Sequence, residues 1–88
     1  MDQIAKLAKI AVLATVGVSR LASPLDVFVI PKAKNLFDVE VYLIIKFGYT
    51  IPDIAWNVQE NIKKLFDKDN ITNVEHINIH VQGVDFED

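Results

Sequence analysis

The clearest alternation in the chain runs from Phe37 to Phe47. Val39, Val41, Leu43, Ile45 and Phe47 share one face, and Glu40, Tyr42, Ile44 and Lys46 share the other. An unbroken apolar row predicts a strand that packs on helices through one side and turns the other toward solvent or a partner. At Thr50 the period changes from two to 3.6. Ile51, Ile54, Ala55, Val58, Ile62, Leu65 and Phe66 then trace a single stripe, which predicts a helix over about 51–67. Thr50 and Asp53 have capping-box spacing, and Pro52 falls in the first turn, where its missing N–H costs nothing. Lys63, Lys64 and Lys68 near the far end suit the helix dipole.

Upstream, Asp2 reads as a cap, and Ile4, Leu7, Ala8, Ala11 and Thr15 recur every three or four residues. This predicts a first helix over about 2–15, with Lys6 and Lys9 turned away and Gly17 as its stop. Ser19 to Pro24 has no period and reads as a connection. Leu25 to Ile30 is a β-branched and aromatic run that predicts a short strand, followed by a polar break with Pro31, Lys32, Lys34 and Asn35. Val74 to Val81 alternates again: Ile77, Ile79 and Val81 point inward, and His76, Asn78, His80 and Gln82 outward. The acidic end, Asp85 to Asp88, reads as frayed.

The order is therefore helix, strand, strand, helix, strand. It predicts an α+β two-layer sandwich in which both helices cover one face of a small mixed sheet. A helical crossover makes the second and third strands parallel, while their adjacency stays open.

Composition narrows the classes. Eighty-eight residues, 51% hydrophobic and 24% charged, suit one globular domain over 1–88. The absence of cysteine removes disulfides, thiolate metal sites and cysteine nucleophiles. The net charge of −3 hides an asymmetry: residues 1–34 hold five Lys/Arg against two acids, and residues 35–88 hold four against ten. That balance disfavours a partner bound mainly through phosphates. Lys6, Lys9, Arg20 and Lys46 interrupt every apolar run before the roughly 18 residues a membrane span needs. Asp2 and Arg20 also break the pattern of a cleaved leader.

Candidate chemistry is sparse. His76 and His80 share a strand face but stand about 13 Å apart, too far for one ion to use both. They read as solvated histidines. Asp53, Glu60, Asp67 and Asp69 lie along a solvent face or at helix ends rather than converging on a cleft. Ser19 and Ser23 lack a nucleophile elbow, and Gly17, Gly48 and Gly83 are too isolated for a phosphate loop. No catalytic, cofactor or metal-binding residue is expected.

Two surfaces stand out instead. Trp56 falls roughly 140° around its helix from Ile51, off the apolar stripe, where an exposed ring could anchor an interface. On the outer sheet face, Phe28, Ile30, Tyr42 and Ile44 gather inside a rim of Glu40, Lys46, His76 and His80. An apolar centre with a polar rim is how a protein contact looks. The alternative is a single-stranded nucleic-acid platform, with the aromatics stacking bases and Lys32, Lys34 and Lys46 on phosphates.

The stretch from Val39 through Gly48, Pro52 and Trp56 to Ile62 resembles the signature region of the alkaline shock protein family, also called the envelope stress response family. The ending Val74 to Val84, with Val81-Gln82-Gly83-Val84, is similar to that family's closing strand, and Ile4 to Val18 resembles its opening helix. Between Val18 and Leu36 the chain is shorter than the family pattern. The resemblance implies a non-enzymatic bacterial cytoplasmic protein of the general or envelope stress response. Some members are held near the membrane by an anchoring partner. It brings no catalytic residue and no cofactor, and it fits a homo-oligomer or a partner-docking module.

Overall fold

The structure, a computed structural model, describes residues 2–24 and 26–86. The side chain of Asp2, Leu25, and Glu87 and Asp88 at the acidic end fall outside this description.

Helix α1 spans Asp2–Leu13, and two short strands follow, β1 at Val18–Leu21 and β2 at Val27–Pro31. A 3-10 turn at Ala33–Asn35 leads into β3 at Phe37–Lys46, helix α2 at Ile51–Lys68 and strand β4 at Val74–Asp85. The architecture is the expected α+β sandwich. Ala8, Ala11 and Val12 of α1 and Ile54, Val58, Ile62 and Phe66 of α2 meet Val39, Val41, Leu43 and Ile45 of β3 in one buried cluster. The alternation that predicted β3 therefore sorts its faces correctly. The stripe on α2 is buried every fourth residue, from Ile54 to Phe66.

The segment from Ser19 to Pro24 departs from the expected connection, because β1 lies within it. β1 pairs antiparallel with the end of β3, Val18 facing Ile45 and Leu21 facing Leu43. β2 pairs antiparallel with its beginning, Val27 facing Val41 and Val29 facing Val39. Both use the same edge of β3. At the gap between them, the Ala22 N–H donates to the Tyr42 carbonyl at 2.9 Å, and the Tyr42 N–H donates to the Asp26 carbonyl at 2.7 Å. They act as one interrupted edge strand. A register shift at Ser19 and the Ser23-Pro24 pair hide it from any two-residue period.

β4 pairs with the other edge of β3, parallel, as the crossover requires. β3 is thus central, and the parallel strands are adjacent. β4 also runs past the expected end at Val81 to Asp85, which accepts a hydrogen bond from Ser19 Oγ at 2.6 Å.

Smaller expectations change as well. α1 ends at Leu13, and Thr15 beyond it is buried, accepting a hydrogen bond from Asn61 Nδ2 of α2 at 2.9 Å. Thr50 occupies the N-cap of α2 but makes no side-chain capping bond. Phe47 lies beyond the strand and is 66% exposed, its ring against Phe86 at a centroid distance of 4.9 Å. Lys9, expected to face away, pairs with Asp26 at 3.2 Å.

Candidate functional site

The outer face is assembled by register. Phe28 stands opposite Glu40 and Ile30 opposite Asp38 across β2 and β3. Asp38 faces His76, Glu40 faces Asn78, Tyr42 faces His80 and Ile44 faces Gly83 across β3 and β4. Side chains that share a face and a rung must touch. The Tyr42 ring stacks on the His80 imidazole, with centroids 4.4 Å apart and planes within 11°. Phe28 meets Tyr42 edge-on at 6.1 Å. Phe28 and Ile30 remain exposed at 43% and 44%, while Tyr42 and Ile44 are half-buried.

The histidines are not simply solvated, as the sequence suggests. His80 Nε2 lies 2.7 Å from Glu40 Oε1, and Asn78 Nδ2 donates to Glu40 Oε2 at 2.6 Å. His76 Nδ1 lies 3.2 Å from Asp38 Oδ1, whose second oxygen is 3.5 Å from Lys32 Nζ. Each imidazole is tied to a carboxylate on the neighbouring strand. Asp38 is only 8% exposed, and sequence reasoning misses it. Its one visible signal is its alternation with Glu40 on the outer face.

Burial pushes the Glu40 carboxyl up, as does the nearby Asp38 charge. Hydrogen bonds from Asn78 and His80, with the histidine's charge, outweigh both and hold it below its ordinary value of 4.5. A carboxyl depressed in the folded state adds stability that is complete above its unfolded pKa, about 4.3, and is lost as pH falls through the folded value. Wild type should therefore lose urea resistance below about pH 5 more steeply than Glu40→Gln, and should exceed that variant above it. Parallel midpoint curves for the two proteins across that range would mean that the Asn78 and His80 bonds contribute nothing.

Trp56 is 60% exposed, in keeping with its position off the helical stripe. With Pro52, Ala55 and Gln59 of α2 it lines an open groove of about 530 Å³ whose other wall is Asn78, Ile79 and His80 of β4. Gln59 Nε2 donates to the Ile77 carbonyl at 2.6 Å and fastens the helix to the strand. The two candidate surfaces thus meet along β4, with Trp56 on one side and the Tyr42–His80 stack on the other.

Among the described residues β4 pairs with β3 alone, so the backbone along its other edge has no strand partner. Its inward residues are also less covered than those of β3. Val39, Val41, Leu43 and Ile45 are at most 1% exposed, whereas Ile79, Val81 and Val84 are only half-buried. The lysines considered for phosphate binding do not form a platform: Lys32 is paired with Asp38, and the carboxylates of Asp38 and Glu40 share the face with the aromatics.

Comparison with known proteins places this geometry. Residues 26–86 match the model of the alkaline shock protein family, described as having a cell envelope-related function. The chain is 37% identical over 49 residues to the uncharacterized protein YqhY of Bacillus subtilis (strain 168). That match covers 56% of this chain and 36% of YqhY, so the chain spans about a third of the curated relative it matches. Among solved structures, a tryptophan-to-alanine variant of MamM CTD superposes with a TM-score of 0.74, covering 98% of this chain and 83% of that one at 11% identity. A double variant of MamM-CTD gives 0.72, with 98% and 96% covered at 11% identity. These similarities concern the fold.

Proposed function

From the premise that this chain belongs to the alkaline shock protein family, with its cell envelope-related function, we propose that it is a non-enzymatic module that self-associates along β4. The observation that carries this reading is the incomplete edge. A twelve-residue strand is paired on one side only, and the apolar row beneath it runs out from under the helices at Ile79, Val81 and Val84. A long edge with no proline and no inward lysine invites strand addition. A second copy meets both needs, pairing the backbone and covering the apolar row. Trp56 and the Phe28–Tyr42–His80 row would flank the joint, giving it aromatic anchors on both sides.

In this reading the protein works on the cytoplasmic side of the envelope, and an anchored partner, as the family resemblance implies, supplies its place at the membrane. No helix among the described residues is long and apolar enough to cross a bilayer.

Sedimentation tests the assembly. Wild type should run larger than one chain, and Trp56→Ala should weaken association by about thirtyfold, the effect of an anchor worth about 2 kcal/mol. Tyr42→Lys and Ile44→Asp should also reduce the assembled size while leaving the helical circular dichroism signal unchanged. A wild-type chain that remains a monomer at high micromolar concentration would remove self-association from the reading.

A further inference from the structure

The pairing of β3 with β4 contains an irregularity at its start. Phe37 faces Val74, but the next residue, Asp38, faces His76. Glu75 is an extra residue, so two positions of β4 stand against one of β3. Such a bulge interrupts the alternation of side chains and re-aims one of them. Strict alternation would put Glu75 on the side of the sheet opposite His76. Instead, Glu75 Oε1 lies 3.7 Å from His76 Nδ1, and Asp38 Oδ1 lies 3.2 Å from the same nitrogen. The His76 N–H also donates to Asp38 Oδ1 at 3.2 Å, fixing the carboxylate where the strands meet.

We propose that Asp38, Glu75 and His76 form a binding site for a divalent first-row transition ion such as Zn²⁺ or Ni²⁺. Their donor atoms all lie within 4.8 Å of one another, the one such group of three among the described residues. Around an ion held at about 2.1 Å, neighbouring ligands stand roughly 3.0 Å apart in an octahedron and 3.4 Å apart in a tetrahedron. The observed 3.2 and 3.7 Å separations straddle those values, so closure needs only small rotations of two exposed side chains. One imidazole with two carboxylates selects zinc or nickel over magnesium and calcium, which prefer oxygen alone.

Lys32 sets the strength. Its ammonium lies 3.5 Å from Asp38 Oδ2, leaving Oδ1 as the oxygen that faces His76 and offsetting one of the two carboxylate charges. The site opens to solvent at Glu75 and His76, so water completes the coordination shell. The sequence does not disclose this trio. The His76 and His80 spacing rules out that pair, and the ligands His76 does gain come from another strand and from a bulge.

The test is a titration of the chelator-stripped 88-residue chain with Zn²⁺ and Ni²⁺, followed by calorimetry and by the NMR signals of the two histidines. One equivalent should bind and shift or broaden His76, leaving His80 unmoved, while Mg²⁺ changes neither. Glu75→Gln and His76→Ala, both at exposed positions, should each weaken Zn²⁺ binding more than about tenfold, since even outer-shell partners of a ligand are worth that much. Lys32→Gln should tighten it. Circular dichroism confirms folding of each variant, and Glu75→Gln decides the matter should His76→Ala disturb the strand. The proposal is overturned by equal shifts at His76 and His80, by undiminished binding to Glu75→Gln, or by no heat and no shift at millimolar metal.

Discussion

Phe66→Ala is expected to cost about 3–5 kcal/mol, the range for removing a large aromatic side chain from a closed core. Phe66 closes the last turn of α2 and is 1% exposed. It meets Phe37, also 1% exposed, edge-on at a centroid distance of 6.3 Å and an angle of 65°. The pair joins the end of the long helix to the first residue of the central strand. Truncation leaves a cavity among groups that backbone pairing holds in place, because Phe37 is flanked by Pro31 on one side and Val74 on the other. A domain of this size has about 5–10 kcal/mol in all, so this one residue holds a large share. The urea midpoint should fall with little change in slope, and the melting temperature should drop by more than about 12 °C. Phe66→Leu, which keeps most of the volume, should lose less than half as much. A loss below about 1 kcal/mol for the alanine variant would show that the last turn of α2 is not docked on β3.

The same residues show how much of this molecule a one-dimensional reading can reach. Val39 to Ile45 and Ile54 to Phe66 announce their periods, since each is a long element with one buried face. Their partnership gives the sandwich, the crossover and the parallel pair. Residues 18–31 are harder to read, because that strand is broken in two. Neither half is long enough to show a period, and Ser23 and Pro24 between them look like a loop. Phe47 is misplaced by its alternation because the strand stops one residue earlier, at Lys46.

The outer face is legible in kind but not in detail. Phe28, Ile30, Tyr42 and Ile44 share a side as expected, yet the ties of His76 to Asp38 and His80 to Glu40 depend on which rung faces which. Register between distant strands is a property of the assembled sheet, and a bulge such as that at Glu75 has no glycine or proline to mark it. Trp56 is intermediate. Its angle on the helix places it off the core, but its nearness to β4 follows only from the sandwich.

Gly17→Ala should be the other severe substitution, and for two separable reasons. Gly17 has φ of +97°, a backbone conformation that side chains rarely adopt. A methyl there would also collide with the Ile54 side chain and stand 2.9 Å from Tyr49 Cδ1. Nor can the turn simply move aside, because the Gly17 carbonyl accepts the Lys46 N–H at 2.8 Å and ties the exit of α1 to the end of β3. Gly48 supplies the control, since its φ is +96° but an added methyl would meet open space. Gly48→Ala should therefore carry only the conformational cost, about 1–2 kcal/mol, whereas Gly17→Ala should add about 1–3 kcal/mol of overpacking. Urea unfolding of both variants gives the difference directly. Ile54→Ala tests its source: it destabilises wild type by opening the core, but in the Gly17→Ala background it makes room for the methyl, so the double variant should be more stable than the two single losses add to. Equal losses at the two glycines, or strict additivity with Ile54→Ala, would leave only the backbone strain and remove close packing of this turn on α2 from the account.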